Sequence, residues 1–203
     1  MFSKHQFGFR EGFTTEFAII DIHEKLLKNL DDGLNSCTVF LYLAKAFDSV
    51  SHDILLKKLE KYGIRVSVLK LFSSYLSDRY QFVSVNNSNS TLQLIKFGVP
   101  QGSILGPLLF LIYINDLPNA TNFFIKLYAD DTVLCAQNKN IEALQNEVNA
   151  ELNKVHKWLA SNKLTLNVKK SKYMIITKQK NDLANFSVKI DGTDLKKCES
   201  YKY

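Results

Sequence analysis

The sequence predicts an α+β fold, in which helices pack on a small and mostly antiparallel sheet. Helical periodicity is clearest in Ile141–Leu159, where apolar residues recur every three or four positions. The run Cys37–Leu43 is β-branched, aromatic and short, which is typical of a strand buried on both faces. Two further apolar runs, Phe123–Tyr128 and Thr132–Ala136, are separated by Ala-Asp-Asp alone, which predicts two strands joined by a tight turn.

The other elements follow from the same two periodicities and from turn residues between them. The remaining predicted helices are Thr14–Leu30, Asp53–Tyr62, Val66–Leu76 and Leu105–Leu117. The remaining predicted strands are Tyr80–Val85 and Thr91–Phe97, joined through Asn86–Ser90, and then Tyr173–Thr177 and Phe186–Ile190, with Asp191-Gly192 as a hairpin turn. Thr14 and Thr15 are possible caps of the first helix, and Pro107 is tolerated in a first helical turn.

Composition narrows the class of protein without identifying it. The 203 residues are 46% hydrophobic and 23% charged, which is the balance of a globular chain. A net charge of +6 is compatible with a polyanionic partner and equally with a solvated basic surface. No apolar run approaches the roughly 20 residues that cross a bilayer, and the start lacks a signal-peptide pattern. We therefore expect an intracellular protein without a membrane partner, in the cytoplasm or the nucleus.

The three cysteines, Cys37, Cys135 and Cys198, lie far apart, and no pair has CxxC spacing. A zinc site or a disulfide framework therefore has no support in the sequence. Reduced thiols in the core are the expectation.

The acidic turn Tyr128-Ala129-Asp130-Asp131 is the strongest chemical signal in the chain. Two adjacent carboxylates repel each other, and divalent cations relieve that repulsion. Hard oxygen ligands suit Mg²⁺, and two such ions about 4 Å apart can support an in-line phosphoryl displacement. The alternative is an ordinary surface turn, because aspartate is a common turn residue.

A second signal is the loop Phe97–Ser103, which places Pro100 and Gln101 between Gly98 and Gly102 ahead of a predicted helix. Glycines let a backbone approach a ligand closely, and free amides at a helix start favour phosphate. An ordinary strand-to-helix connection is the competing interpretation.

Taken together, these motifs resemble the reverse transcriptase domain of non-LTR, LINE-like retrotransposons. The resemblance is carried by the stretches Gly98–Phe110, Ile114–Leu117 and Tyr128–Asp131, and further by His5–Arg10, Ala44–His52, Leu164–Asn167, Lys170-Ser171 and Tyr201–Tyr203. These stretches run in the family's order over nearly the whole chain.

The resemblance implies a right-hand polymerase palm with partial fingers, in which residues 1–36 are a fingers segment and residues 37–203 are mostly palm without a thumb. It implies RNA-directed DNA synthesis with an RNA template, a DNA primer, deoxynucleoside triphosphates and two Mg²⁺ ions. The chain is expected to be a fragment of a longer protein, whose thumb and endonuclease regions it lacks.

The resemblance also assigns roles to single residues. It implies that Asp130 and Asp131 are the catalytic metal ligands, that Phe47 is the aromatic gate against the ribose 2′-hydroxyl, that Gln101 and Gly102 lie beside the incoming nucleotide and template, and that Lys170 lies near the leaving phosphates. Arg10 either approaches substrate phosphates or forms a structural ion pair.

One position departs from the family pattern. The family has an aspartate five residues before the gate aromatic, where it ligates both metals, and this chain has Tyr42. A tyrosine phenol is protonated at neutral pH and larger than a carboxylate, so it is a poor substitute. Asp48 lies beyond the strand and is expected to cap the following helix instead. The hypothesis is a palm that folds and polymerises weakly or not at all.

Two alternative functions stay open at this stage. One is a catalytically dead relic that still binds nucleic acid, through lysines such as Lys163, Lys169 and Lys172. The other is a polymerase of the group II intron maturase type, with which the Ala-Phe-Asp-Ser-Val-Ser-His and Tyr-Ala-Asp-Asp stretches are compatible.

Overall fold

The structure is a computed structural model, and it describes residues 2–178, 183 and 185–200. Its helices are α1 (Thr15–Asp31), α2 (His52–Lys61), α3 (Val66–Leu76), α4 (Leu105–Ile114) and α5 (Ile141–Ser161). Its strands are β1 (Asn35–Ala44), β2 (Tyr80–Gln81), β3 (Ser84–Val85), β4 (Ser88–Asn89), β5 (Gln93–Leu94), β6 (Phe124–Tyr128), β7 (Asp131–Asn138), β8 (Thr165–Leu166), β9 (Lys172–Ile176), β10 (Lys189–Ile190), β11 (Thr193–Asp194) and β12 (Lys196–Lys197). The α+β prediction is confirmed.

The chain forms two compact units, residues 1–44 with 115–203 and residues 45–114. These units do not follow the division into fingers and palm at residue 36, which stays a prediction. The acidic turn and Tyr42 belong to the first unit, and the glycine-bracketed loop belongs to the second.

The first unit is built on a sheet in the order β12-β9-β1-β7-β6. Strand β1 is its central member and runs antiparallel to both β7 and β9, while β12 joins β9 in parallel. The burial of β1 on both faces is confirmed, since its first seven residues are all buried. Helix α5 covers the sheet with the predicted apolar face, in which Leu144, Val148 and Leu152 are fully buried.

Helix α1 also packs on this sheet, against β1 and β6. Of the two possible caps, Thr14 is confirmed, because its side chain accepts a hydrogen bond from the Phe17 amide, and Thr15 is the first helical residue. Ile22 and Leu26 turn inward to contact Phe40 and Val133. Apolar burial of this kind, rather than helix propensity alone, stabilises the helix on the sheet.

The second unit consists of α2, α3, α4 and two short strand pairs, β2 with β5 and β3 with β4. The long predicted strands Tyr80–Val85 and Thr91–Phe97 are wrong in extent, and the turn is tighter than Asn86–Ser90. Asn86 and Asn87 alone form it, with φ angles of 48° and 62°. Asparagine tolerates this left-handed region, so the two residues close a two-residue hairpin.

Other boundaries also differ from the predictions. The helix predicted to reach Leu117 ends at Ile114, and a separate 3₁₀ turn spans Leu117–Ala120 with a proline at its start. Within Phe186–Ile190 only the last two residues are in a strand. The stretch Tyr201–Tyr203, which carries part of the family resemblance, lies outside the described residues.

The prediction of thiols in the core is confirmed for Cys37 and Cys135, which are buried, whereas Cys198 is only partly buried. Burial raises the pKa of the Cys135 thiol to about 11. Within the described residues, no helix combines the length and the apolar character needed to span a membrane.

Candidate active site

The acidic turn joins β6 to β7 through two residues, Ala129 and Asp130. Tyr128 and Asp131 face each other as the last pair of that ladder. The predicted strand–turn–strand unit is therefore confirmed. Ala129 has a φ of 54°, a conformation that a residue with a Cβ adopts only when its surroundings hold it there.

The two carboxylates at this turn influence each other electrostatically. Burial, and secondly the negative charge of Asp130, raise the pKa of Asp131 above its ordinary value. Both side chains are half-buried rather than fully exposed. A cation placed between them would relieve the repulsion, which is what a metal-binding turn requires.

Tyr42 lies directly opposite this turn. In the ladder between β1 and β7, its Cα pairs with that of Asp131. The backbone of Tyr42 is held on both sides, since its amide donates to the Ser171 hydroxyl at 3.1 Å and its carbonyl accepts from the Asn167 amide at 2.8 Å. The side chain at position 42 therefore begins at the same level of the sheet as the Asp131 carboxylate.

Lys170 contacts the Tyr42 ring. Its ammonium nitrogen lies 4.6 Å from the ring centroid, within the range of a cation–π interaction. At an exposed site such a contact contributes about 0.5–1 kcal/mol. The resemblance implied that Lys170 lies near the leaving phosphates, which stays a prediction, and here its ammonium group contacts an aromatic ring.

The donor set fits one divalent cation better than two. Asp130 and Asp131 offer carboxylate oxygens on one turn, as a single Mg²⁺ bound together with substrate phosphates requires. A second shared ion needs a further carboxylate, and the residue that faces Asp131 from β1 is a tyrosine. Among the described residues, no group of three or more His, Cys, Asp or Glu side chains is arranged to hold a metal.

The second unit contains Phe47, Gln101 and Gly102. The half-buried Phe47 ring stacks on Phe110, with ring centroids 4.5 Å apart and an interplanar angle of 27°. Gln101 donates a hydrogen bond from its side-chain nitrogen to Asp48 Oδ1 at 2.7 Å, and both side chains are exposed. Gly102 follows at the exposed end of the same loop.

This loop is tied to the segment that carries Phe47. The amides of Gly98 and Val99 donate to the carbonyls of Val50 and Phe47 at 2.7 and 2.9 Å. Gly98 has a φ of 91°, and a Cβ there would lie 3.0 Å from the Asp48 Cα. Only glycine fits both constraints, which explains the first glycine of the loop.

The expected helix cap at Asp48 is wrong. Helix α2 begins after Ser51, and no side-chain hydrogen bond caps it. Asp48 instead accepts from Gln101, because the loop returns beside the short 3₁₀ turn Phe47–Ser49. The sequence could not indicate this contact between residues 53 positions apart.

A cleft of about 570 Å³ lies in the second unit beside this loop. Its lining includes the cationic side chains Lys45 and Arg79, together with Asp48, Phe97 and Gln101. The volume lies within the range of small-molecule sites. The Gln101 position is therefore next to a cavity with cationic groups.

Two residues with a role at the turn were missed by the sequence analysis. Gln6 and Ser171 are both fully buried and polar, and each bonds to the backbone at or opposite the turn. The sequence signal for them is that Gln6 lies in His5–Arg10 and Ser171 in Lys170-Ser171, two stretches that resemble the family. Arg10 donates hydrogen bonds to the carbonyls of Ser3 and Gln6, and its guanidinium lies 3.9 Å from the centroid of the Phe13 ring. Its approach to substrate phosphates stays a prediction.

Comparison with known structures defines the class of fold. Telomerase from Candida tropicalis, solved with a fragment of telomeric RNA, aligns with a TM-score of 0.61 at 13% identity, over 94% of this chain and 32% of that one. Telomerase from Candida albicans aligns with a TM-score of 0.55 at 17% identity, over 86% of this chain and 32% of that chain. The chain therefore shares the fold of the aligned parts of these two telomerases.

The sequence comparison identifies the family. The family described as "Reverse transcriptase (RNA-dependent DNA polymerase)" matches residues 1–203. The chain belongs to that family, and it is a reverse transcriptase domain of the non-LTR retrotransposon type.

A probable RNA-directed DNA polymerase from transposon BS of Drosophila melanogaster is 38% identical over 64% of this chain. The polymerase of the mobile element jockey, from the same species, is 27% identical over 98% of this chain. The chain spans only 15% and 22% of the length of these relatives.

The raised pKa of Asp131 predicts a pH-dependent contribution to stability. A carboxyl whose pKa is higher in the folded state binds its proton more tightly there, so folding is favoured below the ordinary pKa of 3.8 and loses stability as pH rises through the raised value. Asp131→Asn should therefore raise the melting temperature at pH 7, and the gain should shrink at pH 3. Asp53→Asn, in the exposed first turn of α2, should lower stability slightly at pH 7. Equal shifts in the two variants at pH 7 would contradict the prediction.

Proposed function

We propose that this chain is the palm, with part of the fingers, of an RNA-directed DNA polymerase, and that this copy polymerises weakly or not at all. The observation that carries the proposal is the pairing of Tyr42 with Asp131 at the acidic turn. The turn retains two carboxylates, while the residue of β1 that pairs with Asp131 carries a phenol.

The roles of the chain's own residues follow from their positions. Asp130 and Asp131 would hold Mg²⁺, which when bound supplies positive charge to the reacting phosphate oxygens. Tyr42 offers no charge to share between two ions, so it cannot complete the ligand set. The Tyr42 ring instead forms a cation–π contact with the Lys170 ammonium group. This contact would compete with binding of a leaving phosphate by Lys170.

The second unit supports a nucleotide-binding role. The cleft beside Gln101 contains Lys45 and Arg79, whose charges suit a triphosphate. Phe47 stacks on Phe110, and this contact would support the ring of a residue that excludes a 2′-hydroxyl by its bulk. The substrates in this proposal are deoxynucleoside triphosphates, with an RNA template and a DNA primer.

The second candidate function is binding of nucleic acid without chemistry. The presence of Tyr42 favours nucleic-acid binding without chemistry, because loss of a metal ligand impairs catalysis without removing the basic surface. The net charge of +6 supplies the attraction to phosphates that such binding needs.

An experiment on single-nucleotide incorporation separates the two functions. An RNA template with an annealed DNA primer is mixed with the chain, one deoxynucleoside triphosphate and increasing Mg²⁺. Slow Mg²⁺-dependent incorporation that disappears in the Asp130→Asn/Asp131→Asn variant supports a weak polymerase. Binding of the duplex without incorporation in either protein supports the second function. Incorporation equal in both proteins would contradict the assignment of the acidic turn.

A further inference from the structure

The buried carboxamide of Gln6 forms hydrogen bonds with the backbone of the acidic turn. Gln6 is completely buried, and its side-chain oxygen accepts hydrogen bonds from the Ala129 amide at 3.0 Å and the Gly8 amide at 2.8 Å. Its side-chain nitrogen lies 3.4 Å from the Ala129 carbonyl, to which it donates. One side chain thus contacts both polar groups of the residue that precedes the two aspartates.

Ala129 is the residue of the turn that most needs such support. Its φ of 54° lies in the left-handed region, where the Cβ of alanine is unfavourable and glycine is usual. A strained residue persists only when its neighbours over-determine its conformation. The Gln6 carboxamide provides that constraint, because it matches the amide and the carbonyl of Ala129 in this conformation.

The segment that carries Gln6 is itself firmly held. It forms a parallel bridge with β6, in which the Phe7 amide donates to the Leu127 carbonyl at 2.7 Å and the Leu127 amide donates to the His5 carbonyl at 2.8 Å. A Cβ on Gly8 would lie 2.3 Å from the Ala129 nitrogen, so this backbone lies directly against the turn. The buried carboxamide therefore has little room to change its orientation.

We infer that Gln6 is a positioning residue, which holds Ala129 in its left-handed conformation and so sets the directions of the Asp130 and Asp131 carboxylates. The inference rests on the proposed function for its consequence, since the oriented carboxylates are the proposed metal ligands. Outer-shell partners of metal ligands typically change metal affinity by 10–100-fold when they are removed.

The first test measures Mn²⁺ affinity in a Tyr42→Asp background, in which the third carboxylate is present. Gln6→Met keeps the volume of the side chain and removes its hydrogen bonds. Asn29→Leu is the matched control, because Asn29 is also a buried amide and donates to Ser36 at 2.9 Å near the other end of β1. We expect both variants to melt at lower temperature, and only Gln6→Met to bind Mn²⁺ about tenfold more weakly. An equal change in affinity in both variants would overturn the inference.

The second test uses hydrogen exchange on the unmodified chain, so it does not depend on a variant that folds or on metal binding. The Ala129 amide should exchange far more slowly than the amide of Asn87, which has a comparable φ of 62° in an exposed hairpin turn. Similar exchange at both amides would show that the Gln6 contact does not hold the turn. Absence of Mn²⁺ binding in the Tyr42→Asp parent, with a protected Ala129 amide, would instead refute the metal site and leave the role of Gln6 supported.

Discussion

Tyr42→Asp should raise Mg²⁺-dependent primer extension on an RNA template by about 100-fold or more. The magnitude follows from the loss that enzymes suffer when one group that stabilises transition-state charge is removed. The position is suited to the change, because residue 42 pairs with Asp131 and its backbone is fixed by Ser171 and Asn167. A carboxylate introduced there begins at the level of the acidic turn.

Tyr42→Asn is the matched control for this result. It removes the ring and the contact with Lys170 but adds no charge, so it tests whether relief of bulk alone restores activity. We expect little gain from Tyr42→Asn and a large gain from Tyr42→Asp. Equal activity of the natural chain and Tyr42→Asp would refute the hypothesis of an impaired site.

Phe110→Ala should destabilise the second unit by about 3–5 kcal/mol, the usual cost of truncating a buried phenylalanine. Phe110 is completely buried in α4, and its ring is the platform on which Phe47 stacks. The truncation leaves a cavity and removes the stacking contact together. Urea unfolding, followed by a probe within residues 45–114, would measure the change in the free energy of unfolding.

Leu108→Ala is the control on the same helix, since Leu108 is 39% exposed. It should cost clearly less than Phe110→Ala, because a partly solvated side chain loses less burial when it is truncated. Comparable losses in the two variants would contradict the assignment of Phe110 as the core residue beneath Phe47.

The sequence alone predicted much of the fold where apolar periodicity was strong. Helix α5 and strand β1 were placed within a few residues, because burial on a regular face leaves a periodic record. The hairpin in the second unit was placed less well. Its strands are short and exposed, so few apolar positions defined their ends, and the Asn86-Asn87 turn decided the register.

Some features of the candidate site were predictable from the sequence, and others were not. The sequence by itself determined the family, the pair Asp130 and Asp131, and the absence of a carboxylate at position 42, because each is a matter of residue identity at a motif position. Only the tertiary structure decided that Tyr42 faces Asp131 across a ladder and that Asp48 bonds to Gln101. It also placed the Gln6 carboxamide behind Ala129, 123 positions away in the chain. Such contacts depend on strand register and on hydrogen bonds between distant segments, and neither leaves a local pattern in the sequence.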